Sequence, residues 1–217
     1  MIENEKQLKE ILVILEKEGI LGNIVLIGSW CLLFYKSIFI NFEPTVRTTD
    51  IDFFVPNPRA IKEKNNIIAS LKEINYDIVR DTLTSKSTFI SPDGFELEFL
   101  TKINREQLAC LKLGNTNIYA ESLPYLTIFS GNYIEIDYDG IKVKVASPAS
   151  YILQKLLINS SRKDKKEKDI ESIKNVLSFV KESRKYNDEL NSLYNSLPKN
   201  WQKKINQTTS QNNIQLF

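Results

Sequence analysis

The chain has 217 residues, 42% of them hydrophobic, and its 29 basic and 27 acidic side chains leave a net charge of +2. That is enough apolar material for the core of one large domain or two small ones. It contains no histidine and only two cysteines, which excludes Ser-His-Asp and Cys-His nucleophile systems and an ordinary zinc site.

Further classes fall on the missing patterns. There is no Gly-x-x-x-x-Gly-Lys loop and no Gly-x-Gly-x-x-Gly after a strand, so P-loop and dinucleotide cradles are absent. No apolar run approaches the roughly 18–20 residues of a membrane span, and Met1–Lys6 does not read as a signal peptide, so a cytoplasmic location without a membrane partner is expected. Cys31 and Cys110 each sit among apolar neighbours and read as buried free thiols.

Leu8, Ile11, Leu12 and Leu15 recur at helical spacing and predict a helix over residues 5–18. An apolar strand over 24–28 follows, then a helix from Ser29 to about Ile38, an irregular loop containing Pro44, and a strand over 50–55 stopped by Pro56. Residues 60–74 read as a helix, and 76–80, 86–91 and 95–100 as strands, the last two joined by Ser91-Pro92-Asp93-Gly94. Asp139-Gly140 marks a hairpin between 133–138 and 141–145. From Pro148 the pattern is helical over 148–159, 166–183 and 186–196. The Gln- and Asn-rich end reads as frayed. The expected organisation is a core over 1–146, a helical lobe over 147–205 and a flexible tail over 206–217.

Within the strands, side chains alternate between faces, so Asp50 and Asp52 point one way while Ile51, Phe53 and Val55 enter the core. Glu96 and Glu98 repeat the pattern against Phe95, Leu97 and Phe99. Each pair alone also fits the polar face of a half-exposed strand. Together, and behind Gly28-Ser29 at a strand end, they suit a hard-cation site for transfer of a nucleoside monophosphate from a triphosphate, which gathers negative charge on phosphorus, attacking and leaving oxygens. Asp50 and Asp52 would bridge two Mg²⁺ ions (or Mn²⁺), and Glu98 would be the third ligand, with Glu96 as its rival. Gly28 lets the backbone approach a phosphate, and Ser29 would offer an N–H and a hydroxyl at a helix start. As a bland alternative, Gly28-Ser29 is a turn and N-cap.

These residues carry a likeness. Ile24–Ser29, Arg47–Val55 and Phe95–Leu100 resemble the motifs of the nucleotidyltransferase superfamily that shares the DNA polymerase beta fold. Ser147–Tyr151, Gln154–Leu156 and Lys168–Ile170 look like the helical segment of a bacterial branch related to abortive-infection and toxin nucleotidyltransferases. The likeness implies an α+β fold, a mixed sheet flanked by helices with a helical C-terminal lobe, and an NTP site in the cleft between them. It also implies that Lys155 and Asp169 help form the nucleotide site; read on their own they are a helix-edge lysine and an aspartate favourable to the helix dipole. The departures are a long gap between Gly-Ser and the Asp pair, and Glu as third carboxylate. Arg47 and Thr48, just before the pair, are candidates for the triphosphate; Arg47 also reads as a loop cation easing repulsion among acids.

Residues 1–146 carry 16 basic and 20 acidic side chains and 147–217 carry 13 and 7. The basic lobe could supply cations to a triphosphate or to acceptor RNA, although Arg162, Lys163, Lys165 and Lys166 read mainly as solvated surface. Trp30, Tyr35, Phe39 and Phe42 read as core rather than as base-stacking groups. The expected activity is nucleotidyl transfer from an NTP to an acceptor hydroxyl on tRNA, a protein or a small molecule. ATP, CTP, GTP and UTP all remain open as donor. The rivals are a catalytically silent member binding nucleotide or a partner protein, as in a toxin–antitoxin pair, and an RNA-binding module.

Overall fold

The computed structural model describes residues 3–44, 48–103, 106, 108–162 and 165–217. Among them nine strands form one mixed sheet flanked by seven helices, an α+β architecture. The central strands are β1 (Val25–Ile27), β2 (Asp50–Phe54) and β5 (Glu96–Lys102). Around them lie β3 (Asp77–Arg80), β4 (Ser87–Ile90), β8 (Tyr133–Tyr138) and β9 (Ile141–Ala146), giving the order β3-β4-β5-β2-β1-β9-β8. β2 is antiparallel to β1 but parallel to β5. Two strands that the sequence does not signal, β6 (Cys110–Lys112) and β7 (Tyr119–Leu123), extend the sheet beside the end of β5.

Burial explains the strands. β2 alternates half-buried Asp50 and Asp52 with fully buried Ile51 and Phe53, so the apolar face anchors the strand and fixes which side its acids occupy. The hairpin of β8 and β9 turns on Asp139 and Gly140, both at positive φ (53° and 85°), the conformation that this dipeptide favours.

The helices match their expected places with three corrections. α1 (Glu3–Lys17) packs its leucine stripe inward. The helix expected over 29–38 is a 3-10 turn over Gly28–Trp30 and a five-residue α2 (Cys31–Tyr35). The helix expected over 60–74 contracts to α3 (Ile67–Glu73), capped by Asn66, whose side chain accepts from the Ala69 amide.

The C-terminal helices are α4 (Pro148–Ile158), α5 (Lys166–Glu182), α6 (Arg184–Ser196) and α7 (Lys199–Gln211). Ser147 caps α4 by accepting from the Ser150 amide at 3.3 Å, with Pro148 at the first helical position. α4 is the hub, packed against α5, α6 and α7. The expected flexible tail is the third correction: residues 206–211 continue α7, and Ile214 and Leu216 are buried. The Gln202 side chain donates to the carbonyls of Tyr194, Asn195 and Leu197 at 3.0–3.3 Å, meeting the orphan acceptors at the end of α6. Buried Ile205 and the Trp201 ring packed on Tyr125 add apolar anchoring to these bonds.

Cys31 is buried and Cys110 half-exposed, both as free thiols. Trp30, Tyr35, Phe39 and Phe42 are all core, and Phe39 and Phe42 stack on Phe179 of α5. No helix is long and apolar enough to cross a membrane among the described residues.

Candidate active site

Parallel pairing of β2 with β5 sets Asp50 beside Glu96 and Asp52 beside Glu98. Four carboxylates thus share one face of two adjacent strands. Burial, then the charges of Glu98 and Asp50, push the Asp52 carboxyl up to about 7. Glu98, rather than Glu96, is therefore the glutamate pressing on Asp52. Glu98 accepts from the Thr88 hydroxyl at 3.2 Å and pairs with Lys86 at 2.8 Å, while Lys86 also holds Glu121 at 2.9 Å.

Gly28 closes the floor of this cluster. Its φ is +72°, and a Cβ there would lie 2.8 Å from Asp52 Oδ2, so both the turn and the close approach exclude larger residues. Ser29 follows in the 3-10 turn and faces a cleft of about 530 Å³ that it shares with Leu32, Glu167, Lys168, Asp169, Glu171 and Ser172. With only five residues behind it, α2 contributes little dipole to Ser29, so the helix-start role expected for it is weakened. Thr48 turns inward: its hydroxyl accepts from the Asp50 amide at 3.2 Å and shapes the entry of β2. Arg47 lies outside the described residues.

Lys155 and Asp169 meet, as the resemblance implies, but not at a helix edge. Both side chains are about 95% buried, and Lys155 Nζ donates to Asp169 Oδ1 at 2.5 Å while standing 5.2 Å from the centre of the Tyr151 ring. Burial depresses the Lys155 ammonium, and Asp169 opposes that. The lysine is spent on orienting Asp169, which lines the cleft beside Ser29 while its side chain is 4% exposed and its Oδ2 is buried without a hydrogen-bond partner among the described residues.

Two cations read as solvated surface belong to the site. Lys165 pairs with Asp50 Oδ2 at 2.6 Å, and Arg162 Nε lies 3.4 Å from Asp169 Oδ2. Burial alone would raise the Asp50 carboxyl, but Lys165 and the Thr48 hydroxyl outweigh it and hold the group below its usual value. The segment entering α5 thus bridges the acid cluster and the helical lobe. A run of exposed charges gives no sequence signal for such a reach; proximity to Asp169 in the motif is the only hint. Among the described residues no three His, Cys, Asp or Glu side chains are placed together to hold a metal ion; Asp50 and Glu98 are each engaged by a lysine.

A Gly-Ser turn against paired strand carboxylates, on a mixed sheet with a helical lobe, places the molecule in the class of nucleotidyltransferase folds. The chain belongs to the Nucleotidyltransferase family, whose family model matches residues 6–198. A search of curated proteins finds no match. Among solved structures, the solution structure of the antibiotic-resistance factor ANT(2'')-Ia is similar at a TM-score of 0.50 and 14% identity, covering 87% of this chain and 89% of that one. A crystal structure of ANT(2'')-Ia in complex with adenylyl-2''-tobramycin gives a TM-score of 0.50 at 13% identity over 95% and 97% of the two chains. At these identities the likeness is one of fold.

Proposed function

We propose that the protein transfers a nucleoside monophosphate from an NTP to an acceptor hydroxyl with the help of Mg²⁺ or Mn²⁺. The observation carrying this reading is the register that sets Asp52 between Asp50 and Glu98 behind Gly28. The donor set fits a hard cation: three carboxylates, one of them hard to ionise beside the other two, a repulsion that a divalent ion would relieve. Mg²⁺ takes one or two carboxylates together with substrate phosphates and water, so a complete protein cage is unnecessary. Asp50, Asp52 and Glu98 would hold it, and when bound it supplies charge neutralisation at the phosphates and a more acidic acceptor hydroxyl.

The chain's own groups then bind and orient. Gly28 leaves room for the Asp52 carboxylate to close on the backbone, and Ser29 offers its hydroxyl at the cleft. Lys165, with 54% of its side chain exposed, is free to swing from Asp50 to the triphosphate. Asp169, held by Lys155 and Arg162, faces the nucleotide from the helical lobe. In the reaction the acceptor oxygen forms a bond to the α-phosphorus and gives up its proton to water, and the bond from that phosphorus to pyrophosphate breaks. The role for Lys155 and Asp169 follows the likeness to the abortive-infection and toxin branch, where the matching residues help form the nucleotide site.

Two measurements test this reading. Lys165→Ala should weaken NTP binding about tenfold by calorimetry and leave the melting temperature within about 2 °C, since exposed pairs contribute only about 0–1 kcal/mol. An unchanged NTP affinity would remove Lys165 from the site. Glu98→Gln should abolish transfer, whereas Glu96→Gln should keep most of it; the reverse order would show that Glu96 is the third ligand.

A further inference from the structure

The turn after α4, the first residue of α5 and one face of α7 line a second, larger groove of about 700 Å³. Its described lining carries Lys166, Lys203 and Lys204 with amides and hydroxyls such as Asn200, Gln207 and Thr208, and no carboxylate or large apolar side chain. Neither Lys166 nor Lys203 pairs with a carboxylate among the described residues. Lys204 is held in place, its Nζ donating to the Tyr125 hydroxyl at 3.2 Å and standing 4.7 Å from the ring centre. Lys166, at one end of the groove, is the residue next to Lys165, whose ammonium lies on Asp50. An adjoining hollow, lined by Glu167, Glu171 and Lys174, shares Lys166 with the groove.

We infer that this groove binds the acceptor, and that the acceptor is a single-stranded nucleic acid whose terminal hydroxyl reaches Asp50 and Asp52. This deepens, and rests on, the nucleotidyl-transfer reading. Three lysines without a carboxylate complement phosphodiesters, and amides and hydroxyls donate readily to phosphate oxygens and sugars. A polyamine antibiotic such as tobramycin would meet like charge there. The terminal hydroxyl of the strand loses its proton to water, bonds to the α-phosphorus of the NTP and displaces pyrophosphate.

The test is fluorescence anisotropy with short RNA and DNA oligonucleotides of one sequence, across a salt series, on the full chain. Three phosphate contacts give a log–log salt slope of roughly −2 on a single strand. Lys166→Gln with Lys203→Gln, both exposed, should cut that slope to about −0.7 and weaken low-salt binding at least tenfold. NTP binding, followed in the same samples by calorimetry, reports the nucleotide site separately. Strand binding lost in the variant with NTP binding retained supports the proposal, and the oligonucleotide that accepts label from an α-labelled NTP identifies RNA or DNA as its source. An unchanged salt slope in the variant, or label passing to tobramycin but to neither oligonucleotide, overturns it. Failure of the parent protein to bind any NTP in Mg²⁺ would instead remove the nucleotidyl-transfer reading beneath it.

Discussion

Asp52→Asn is expected to abolish nucleotidyl transfer and, in chelator at pH 8, to raise the melting temperature. The folded-state pKa of Asp52 is raised to about 7 by burial and by Glu98 and Asp50, against about 3.9 in an unfolded chain. The folded protein therefore binds this proton more tightly than the unfolded one. Its contribution is fully present below about pH 4 and is lost as pH rises through 7. Above pH 7 the ionised carboxylate works against the fold by roughly 2–4 kcal/mol, taking 1.36 kcal/mol per unit as the upper scale. Asparagine removes that repulsion, and for a chain of this size the gain amounts to roughly 5–10 °C at pH 8. The gain should shrink steadily below pH 7 and vanish near pH 4. A destabilised Asp52→Asn protein at pH 8 would mean that the three carboxylates do not repel one another in the fold.

Lys155→Met should lower the melting temperature by on the order of 10 °C, and Asp169→Asn by a similar amount. Each change strands one member of a pair whose side chains are 5% and 4% exposed, and breaking a buried pair from one side costs about 3–5 kcal/mol. Lys155→Met combined with Asp169→Leu should recover at least half of the loss, because two apolar groups leave no uncompensated charge. Differential scanning calorimetry of the two single variants and the double variant reads this directly. Single variants melting within about 2 °C of the parent would show that the pair is solvated. Because Asp169 lines the cleft beside Ser29, the recovered double variant should still bind NTP poorly, which separates orientation of the site from stability of the lobe.

The acids and the sheet that carries them were legible because acidic and apolar residues alternate through the first part of β2 and β5, where Asp52 and Glu98 are each flanked by core residues. Their mutual register was not, since a parallel pair is aligned by the intervening crossover rather than by a local turn; the fold sets Asp50 beside Glu96 and Asp52 beside Glu98. β6 and β7 escaped notice because three to five residues of mixed polarity have no distinct period. α7 was missed as well. Its anchors are Ile205 and Trp201 at the core together with Gln202 on the end of α6, and so few apolar residues in a Gln-rich stretch give no clear helical period. Lys165 and Arg162 were hidden by their type, since exposed lysines and arginines are the commonest surface residues and their targets, Asp50 and Asp169, are set by tertiary packing. Lys155 was legible as a site residue but read as reaching outward, whereas the packing of α4 against three helices leaves it nowhere to go but Asp169.

The central claim is that Asp50, Asp52 and Glu98 act together on an NTP. It is tested most directly by incubating the protein with each α-labelled NTP, Mg²⁺ and a pool of small RNAs, proteins and hydroxylated small molecules, alongside Asp50→Asn and Asp52→Asn. The account predicts label transferred from at least one NTP by the parent protein, lost on chelation, restored by Mg²⁺ or Mn²⁺, and absent from both variants. Transfer at near-parental rate by either variant, or transfer that persists in chelator, would contradict it.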